Sequence, residues 1–582
     1  MSSRVHAGPR PRQRLANERL LFDKTRDAPL RICLAYANRY AVAMGTLGFQ
    51  SVYEIFDRFP GAVCERAFLP DADEQLAAGG LTTLESGRRV RDFDVVALSI
   101  SFETDYLNLP RLFDLIGMPA RSAERDADAP LVMAGGPAMF LNPEPVADFI
   151  DLCLIGEAEE MLPEFLAVYE REHTRMPRAE LLAHVAGEVA GAYVPAHYEP
   201  VFAGSRLIDH GYRGGASATV ERRLIWDLNR FPTTTRILSD EAVFGDMVMV
   251  EASRGCQWGC RFCAAGFMYR PIRTRSPENL SLAVAEGLKH RDTIGLVGAE
   301  MASVPGVSQL AAQAMAAGGR LSPSSLKADC VTPQLAESLA RAGTRSATIA
   351  PEAGSERMRR VINKNLSEAD ILRAADLMVV GGVDHLKLYF MVGLPAETDE
   401  DVRAIADLVD AIRARLGAGA RGAHRVGRVT MSVNPFVPKP WTPFQWDPMR
   451  PLTELRRSFR DLRRMCGRIP NLTVDTESPR EGYLQTLLSR GDRRIARVIE
   501  AIHAGGGDWW ATLQDWRRNG IDGVPHPDEY VHRTYDENEL LAWDFIDHRI
   551  DKSYLWVERR KALLERQTAP CDTATCTSCA AC

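Results

Sequence analysis

A chain of 582 residues exceeds one ordinary hydrophobic core, so two or three domains are expected. Its composition, 46% hydrophobic and 25% charged with a net charge of −6, is that of a soluble globular protein, and the mild acidity argues against wholesale nucleic-acid binding while leaving room for a local basic face. No apolar run reaches the roughly 18 residues that a membrane-spanning helix needs, and no membrane partner is expected. Seven of the twelve cysteines lie in two tight clusters, which reads as metal chemistry in a reducing compartment, the cytoplasm, rather than a disulfide framework.

Met1–Arg26 is polar and Arg-rich without the apolar centre of a signal peptide, so residues 1–28 read as a disordered leader. Leu30–Tyr36 is the first candidate strand, and Gly45–Gln50 leads into a helix-like stretch over residues 51–59. Further strands are expected at Val63–Phe68, Phe93–Ile100, Pro130–Met133 and Leu152–Ile155. Ala134-Gly135-Gly136-Pro137 and Gly156-Glu157 follow the last two of these as Gly-containing loops. Strands alternating with helical patterns predict a Rossmann-like, doubly wound parallel sheet over residues 29–175, with ligands beyond the carboxyl ends of its strands. The loops carrying Asn38, Ser99–Phe102, Gly135–Pro137 and Gly156–Glu157 would open on that side. Residues 176–240 read as a linker region punctuated by Pro232.

From Asp246 to Pro440 the alternation resumes, with candidate strands at Met247–Glu251, Thr293–Val297, Ser325–Ala328, Ser346–Ala350, His385–Met391 and Val429–Val433. Six such units predict a partial (β/α)6 barrel within residues 241–450, with its chemistry at the C-terminal strand ends. Directly after the first strand, Ser253–Arg275 sets Cys256, Cys260 and Cys263 in a C-x3-C-x2-C array. Three thiolates on a short loop can hold three irons of a cubane cluster and leave the fourth iron open. A structural zinc site would want four ligands, and the loop offers no nearby histidine. Gly255 and Gly259 allow tight folding, and Phe262 can lay a ring over the cluster.

Cys256-Gln-Trp-Gly-Cys260-Arg-Phe262-Cys263 resembles the signature of the radical S-adenosylmethionine (SAM) enzymes. The resemblance implies a [4Fe–4S] cluster whose open iron is chelated by SAM. It also implies an electron donor of flavodoxin or ferredoxin type, and reductive cleavage of SAM to a 5′-deoxyadenosyl radical. It assigns the SAM amino end to Gly298-Ala299-Glu300, one glycine short of the family's Gly-Gly-Glu, and adenine packing to the turn at Gly393-Leu394-Pro395. Glu352 reads either as a SAM ribose or amino ligand or as an ordinary helix N-terminal acid. Thr398-Asp399-Glu400-Asp401 reads as a helix cap, and Lys387 and Tyr389 lie on the strand before it.

Gly135–Glu160 resembles the cobalamin-binding domain that precedes the radical SAM domain in a large subfamily, which implies cofactor contacts from Gly135, Gly136, Gly156 and Glu157. Asn38-Arg39-Tyr40 stands where cobalamin domains with a lower axial ligand carry Asp-x-His-x-x-Gly. Base-off cobalamin and a scaffold that has lost the cofactor both remain open. In cobalamin-holding relatives the commonest reaction is methyl transfer to an unactivated carbon; rearrangement or sulfur insertion without methyl transfer is the alternative. An RNA-associated factor with a structural cluster is a further one. The substrate is open between a small molecule, a peptide and RNA.

Ser432–Trp446 combines four prolines with four aromatics and reads either as a stiff loop lining the substrate side or as a packed surface loop. Its FVPKPWTPFQW core, with SRGDRRIARVIEA and WDFIDHRIDKSYL downstream, resembles one subfamily of cobalamin-domain radical SAM proteins and extends the likeness over nearly the whole chain from Arg31. Residues 451–565 read as mainly helical. Their run of arginines, Arg456–Arg468, suits a solvated helix face or an anion-binding patch, and Trp509, Trp510 and Trp516 suit a core. A Cys-rich tail, residues 566–582, sets Cys571, Cys576, Cys579 and Cys582 in a C-x4-C-x2-C-x2-C array. These four could ligate a second iron–sulfur cluster, close a zinc site, or act as mobile redox thiols.

Overall fold

Short, fully buried apolar runs build the N-terminal sheet of the computed structural model, which describes all residues except 1–10, 72–73, 75–78, 214–216, 302–303, 324–325, 342–344, 419–427 and 574. Its strands are β1 (Leu30–Tyr36), β2 (Ala62–Phe68), β3 (Val95–Ser99), β4 (Leu131–Gly135) and β5 (Leu152–Leu154), all parallel in the order β2-β1-β3-β4-β5. This is the flavodoxin order, whose topological switch lies between the first and third strands. A sixth strand, β6 (Ala192–Tyr193), runs antiparallel to β5. The region read as a linker from residue 176 therefore begins inside this domain, because Ala192 and Tyr193 complete its sheet edge.

The expected leader is also corrected. Pro11–Asn17 is helical, Arg19–Leu20 pairs antiparallel with Ile237–Leu238, and Glu18 forms a buried ion pair with Arg66 at 2.6 Å. Only residues 1–10 of that expectation lie outside the described residues. A polar composition hid the order, since here polar side chains are held by buried partners.

The second unit is a curved run of seven parallel strands: β7 (Val248–Glu251), β8 (Thr293–Val297), β9 (Arg320–Pro323), β10 (Ser346–Glu352), β11 (His385–Val392), β12 (Arg428–Pro435) and β13 (Leu472–Thr476). β7-β8-β9 form one ladder and β10-β11-β12-β13 another, with the Leu326–Ile349 bridge between them. The third strand runs ahead of the expected Ser325–Ala328; Ser325 lies outside the described residues, and Ala328–Cys330 is a 3-10 turn. β13 was not anticipated, because its five residues sit half exposed in a region dominated by helical patterns. Burial alternates along β11, so Leu386, Leu388 and Phe390 face the surrounding helices while Lys387 and Tyr389 face the open interior.

Leu452–Cys466 buries Leu452, Leu455, Phe459, Leu462 and Cys466, which turns its arginines to solvent. Trp516 is core, with Trp509 and Trp510 packed against it. One hydrophobic core runs from a face of the N-terminal sheet through the barrel to the C-terminal helices, and a second fills the other sheet face beneath Leu47–Arg58 and Ala158–Glu172. Among the described residues no helix is long and apolar enough to cross a membrane.

Candidate active site

β7 delivers the chain into Ser253–Arg254, which pairs antiparallel with Arg273–Thr274, so the three cysteines ride on an excursion closed at its base. Gly255 turns the chain at φ +81°, where a Cβ would stand 2.5 Å from the Tyr269 carbonyl oxygen; only glycine fits. Cys263 N–H donates to the Cys260 carbonyl at 3.0 Å and Gly266 N–H to the Cys263 carbonyl at 3.1 Å, winding the loop tightly. All three cysteines are half-buried and free. Burial pushes the Cys256 thiol up to about 12 and the Cys260 thiol up to about 11, and raises Cys263 as well. Thiols in such surroundings ionise when a metal supplies the compensating charge. Among the described residues no three His, Cys, Asp or Glu side chains gather at single-ion spacing. A three-thiol set with no imidazole fits separate irons of a cluster better than one zinc.

Lys364 and Lys327, which carry no sequence motif, join Glu352 and Phe262 around the loop. Lys364 reaches from the segment after Glu356–Val361 to Glu352, with Nζ 3.3 Å from Oε1. Its ammonium is held above its ordinary range: burial opposes the charge, but Glu352 and the Cys260 and Cys263 thiols favour it. Glu352 closes β10 at φ +66°, a strained conformation for a non-glycine residue. The helix after it is capped by Ser355, whose Oγ accepts from Met358 N–H at 3.0 Å, so Glu352 is not that helix's N-terminal acid. Lys327 packs its ammonium 3.8 Å from the Trp258 ring centroid. Phe262 joins an apolar group with Met358, Ile362, Phe436 and Phe444.

Gly298, after β8, packs against the hairpin base, since a Cβ there would lie 2.6 Å from Ser253 Oγ. Glu300 Oε1 stands 3.5 Å from Lys327 N. Gly393 leaves β11 at φ +93°, and its N–H donates to Glu397 Oε2 at 2.7 Å. Thr398 caps Asp399–Ala418 as expected, exchanging hydrogen bonds with Asp401. The Ser432–Trp446 aromatics are interior: Phe436, Trp441, Phe444 and Trp446 are all buried, with Trp446 edge-on to Trp556. Packing, rather than lining a substrate, is what this loop's rings do.

A cavity of about 470 Å³ lies between the two units. Ser99, Gly135, Gly136 and Gly156 bound it at the carboxyl ends of the N-terminal sheet's strands, and Arg254, Gly255 and Gly298 on the cysteine side. Its apolar flank is Leu47, Val52 and Ile55 of the helix Leu47–Arg58. Gly136 and Gly156 are demanded by backbone crossings, as a Cβ would stand 2.5 Å from the Ile100 carbonyl oxygen and 2.4 Å from Arg223 N. Glu157, expected at a cofactor, has both oxygens engaged. Arg273 donates to it bidentately at 2.8 and 2.8 Å, Ile225 N–H donates at 2.8 Å, and Arg254 lies 3.2 Å away. Asn38 donates to Asp105 Oδ1 at 3.0 Å. No histidine lines this cavity among the described residues. A cavity of about 560 Å³ between β7 and the helix Pro277–Gly287 touches no cysteine.

The 566–582 segment is the last element of the site. Cys571 N–H donates to the Gln257 carbonyl at 2.7 Å, Thr568 N–H to Asn363 Oδ1 at 2.8 Å, and Asn363 Nδ2 to the Gly259 carbonyl at 3.0 Å. Arg261, fully buried, donates to the Arg566 carbonyl at 2.7 Å and pairs with Glu558. Residues 566–571 therefore form a wall of the cysteine loop.

Residues 48–195 match the family described as radical SAM proteins, N-terminal, and residues 250–409 the radical SAM superfamily. An uncharacterised protein of Methanocaldococcus jannaschii is 28% identical over 423 residues, 72% of this chain and 83% of that protein. The radical SAM methyltransferase TsrM from Kitasatospora setae, solved with cobalamin and a [4Fe–4S] cluster, is 14% identical with a TM-score of 0.43 over 69% of this chain and 74% of its own. The cobalamin-dependent SAM radical enzyme OxsB, solved with aqua-cobalamin and SAM, is 14% identical with a TM-score of 0.47 over 92% and 79% of the two chains. With its cysteine loop at the end of the first barrel strand and both family matches in chain order, the chain belongs to the radical SAM superfamily.

Proposed function

We propose that this radical SAM enzyme holds a corrinoid in the cavity between its two units and transfers a methyl group to an unactivated carbon. The position of the cavity carries this reading. It opens at the switch point of a flavodoxin-order sheet, where ligands of such folds bind, and its far wall is the hairpin bearing the three cysteines. The apolar flank suits the planar base of a corrinoid's nucleotide arm, while Ser99 and Ser101 offer hydroxyls. With no histidine in the lining, the cobalt would lack a protein imidazole.

Bound together, the cluster with SAM supplies a carbon-centred radical and the corrinoid a transferable methyl group. Cys256, Cys260 and Cys263 would hold three irons and leave one for SAM. The Gly298–Glu300 strand end would receive the SAM amino group, and the Gly393 turn its adenine. Glu352, ion-paired with Lys364, offers an acceptor for SAM hydroxyl or ammonium donors. The substrate wall is the polar inner face of the barrel, where Lys387 lies beside Thr430 and Tyr389 beside Ser432 in register. Electrons would come from a flavodoxin- or ferredoxin-type donor in a reducing compartment such as the cytoplasm, in keeping with the lack of any disulfide among the described residues.

The engagement of Glu157 by two arginines favours one rival, a radical SAM enzyme that keeps this fold without a corrinoid and performs rearrangement or sulfur insertion. Anaerobic reconstitution with iron, sulfide and hydroxocobalamin separates the two. Methyl transfer requires base-off corrinoid to be retained, its loss in Val52→Trp with the cluster intact, and SAM cleavage abolished by Cys256→Ala. Unchanged corrinoid content in Val52→Trp, or none in the parent protein, removes the methyl-transfer reading.

A further inference from the structure

We propose that Cys571, Cys576, Cys579 and Cys582 hold an auxiliary iron–sulfur cluster, built into the wall of the loop that carries the radical SAM cysteines. The segment is seated at several points along its length. Cys571 N–H donates to Gln257, between Cys256 and Cys260 in sequence, and Asp551 N–H donates to the Cys579 carbonyl at 3.1 Å. Cys579 and Ala581 are 4% and 3% exposed, so the distal half of the segment is anchored too. Between these anchors Cys576 N–H donates to the Asp572 carbonyl at 2.8 Å, a turn that brings Cys576 back toward Cys571. Cys576, Cys579 and Cys582 neighbour Cys571, so the four thiols form one group, with Arg270 beside them.

The protein supplies a countercharge. Arg270, on the cysteine hairpin itself, is buried, donates to the Gly266 carbonyl at 2.9 Å and to Tyr554 Oη at 3.3 Å, and has Cys579 beside its guanidinium. A thiolate-ligated cluster carries net negative charge and needs such a partner when removed from water. Zinc would draw all four sulfurs to about 2.3 Å from one centre. Among the described residues no three His, Cys, Asp or Glu side chains gather at that spacing. Four thiolates also saturate a cubane, so SAM finds no open iron there, in contrast to the three-cysteine loop.

The test uses the full chain reconstituted anaerobically with iron and sulfide, in three forms: unaltered, Cys256→Ala/Cys260→Ala/Cys263→Ala, and Cys571→Ser/Cys576→Ser. The unaltered protein should carry about twice the iron and sulfide of either variant. The cluster left in the first variant should have an electron paramagnetic resonance signal that SAM does not shift, and the one left in the second a signal that SAM does. Should Cys571→Ser/Cys576→Ser fail to fold by circular dichroism, Cys582→Ser, at an exposed position, should alter the SAM-insensitive signal alone. Zinc in place of iron in the first variant, or undiminished iron in the folded second variant, would overturn the proposal. If instead the radical cluster were misassigned, the first variant would match the unaltered protein while the second still lost iron.

Discussion

Arg273 grips Glu157 with two parallel hydrogen bonds of 2.8 Å, and this pair fastens the loop after β5 to the base of the cysteine hairpin. Arg254 adds contacts to Glu157 and Glu159 from the same hairpin. Glu157→Ala leaves two buried guanidinium groups short of a partner and should cost about 3 kcal/mol in urea-induced unfolding. Burial alone would raise the Glu157 carboxyl, but hydrogen bonds from Arg273 and the charge of Arg254 bring it below its usual range. Its contribution is therefore complete above the ordinary glutamate value, about 4.3, and disappears as pH falls through the lowered folded value. Unfolding curves at pH 3 and pH 7 should differ less for Glu157→Ala than for the parent.

Lys364 would set the electrostatics of a cluster held by the cysteine loop. Replacing it with Gln removes a buried positive charge whose neighbours are Glu352, Cys260 and Cys263. A reduced cluster gains negative charge, so its midpoint potential should fall by on the order of 1 kcal/mol, about 40 mV for a one-electron couple. Redox titration followed by electron paramagnetic resonance measures this, and Lys364→Arg should restore most of the shift.

Glu397 gives a pH effect of the opposite sign. Burial lifts its carboxyl to about 7 despite the Gly393 N–H and Arg450, so the folded state holds a proton that the unfolded chain releases near 4.3. Stability from this group falls as pH rises from about 4.3 to about 7. Glu397→Gln keeps an acceptor for Gly393 N–H and should raise unfolding free energy at pH 8 by about 1–3 kcal/mol while leaving pH 4 nearly unchanged. Equal effects at both pH values would show that the carboxyl is charged throughout.

Gly156→Ala tests the junction from the other side. At φ +130°, with Arg223 N 2.4 Å from the new Cβ, the substitution must displace backbone and should destabilise by about 1–3 kcal/mol. Gly259→Ala, at ordinary φ and nearest to the flexible end of Asn363, should cost less in the same thermal-unfolding assay.

Much of this architecture can be read from the sequence where chemistry and periodicity coincide. The buried run at Leu30–Tyr36, the strand before Cys256 and the Thr398 cap each follow from a local pattern. What escaped was set by partners that no local pattern reveals. Lys364 and Asn363 carry no signature, and their roles come from Glu352 and from the Gly259 and Thr568 backbone. Glu157 illustrates the converse: its loop position is legible, but its occupation by Arg273 depends on a hairpin more than a hundred residues onward. The aromatic loop reads equally well as wall or filler until Trp556 is found against Trp446.

The Cys571–Gln257 hydrogen bond joins residues roughly three hundred apart in sequence. During synthesis the cysteine loop would thus leave the ribosome on the order of 15–60 s before the segment that covers it. Through that interval one flank of the loop is bare, and a cluster-delivery protein could reach it without prying the finished molecule apart. Closure by residues 566–571 would then act as a latch drawn after loading, so cells starved of iron during translation should accumulate empty protein that later iron repairs slowly.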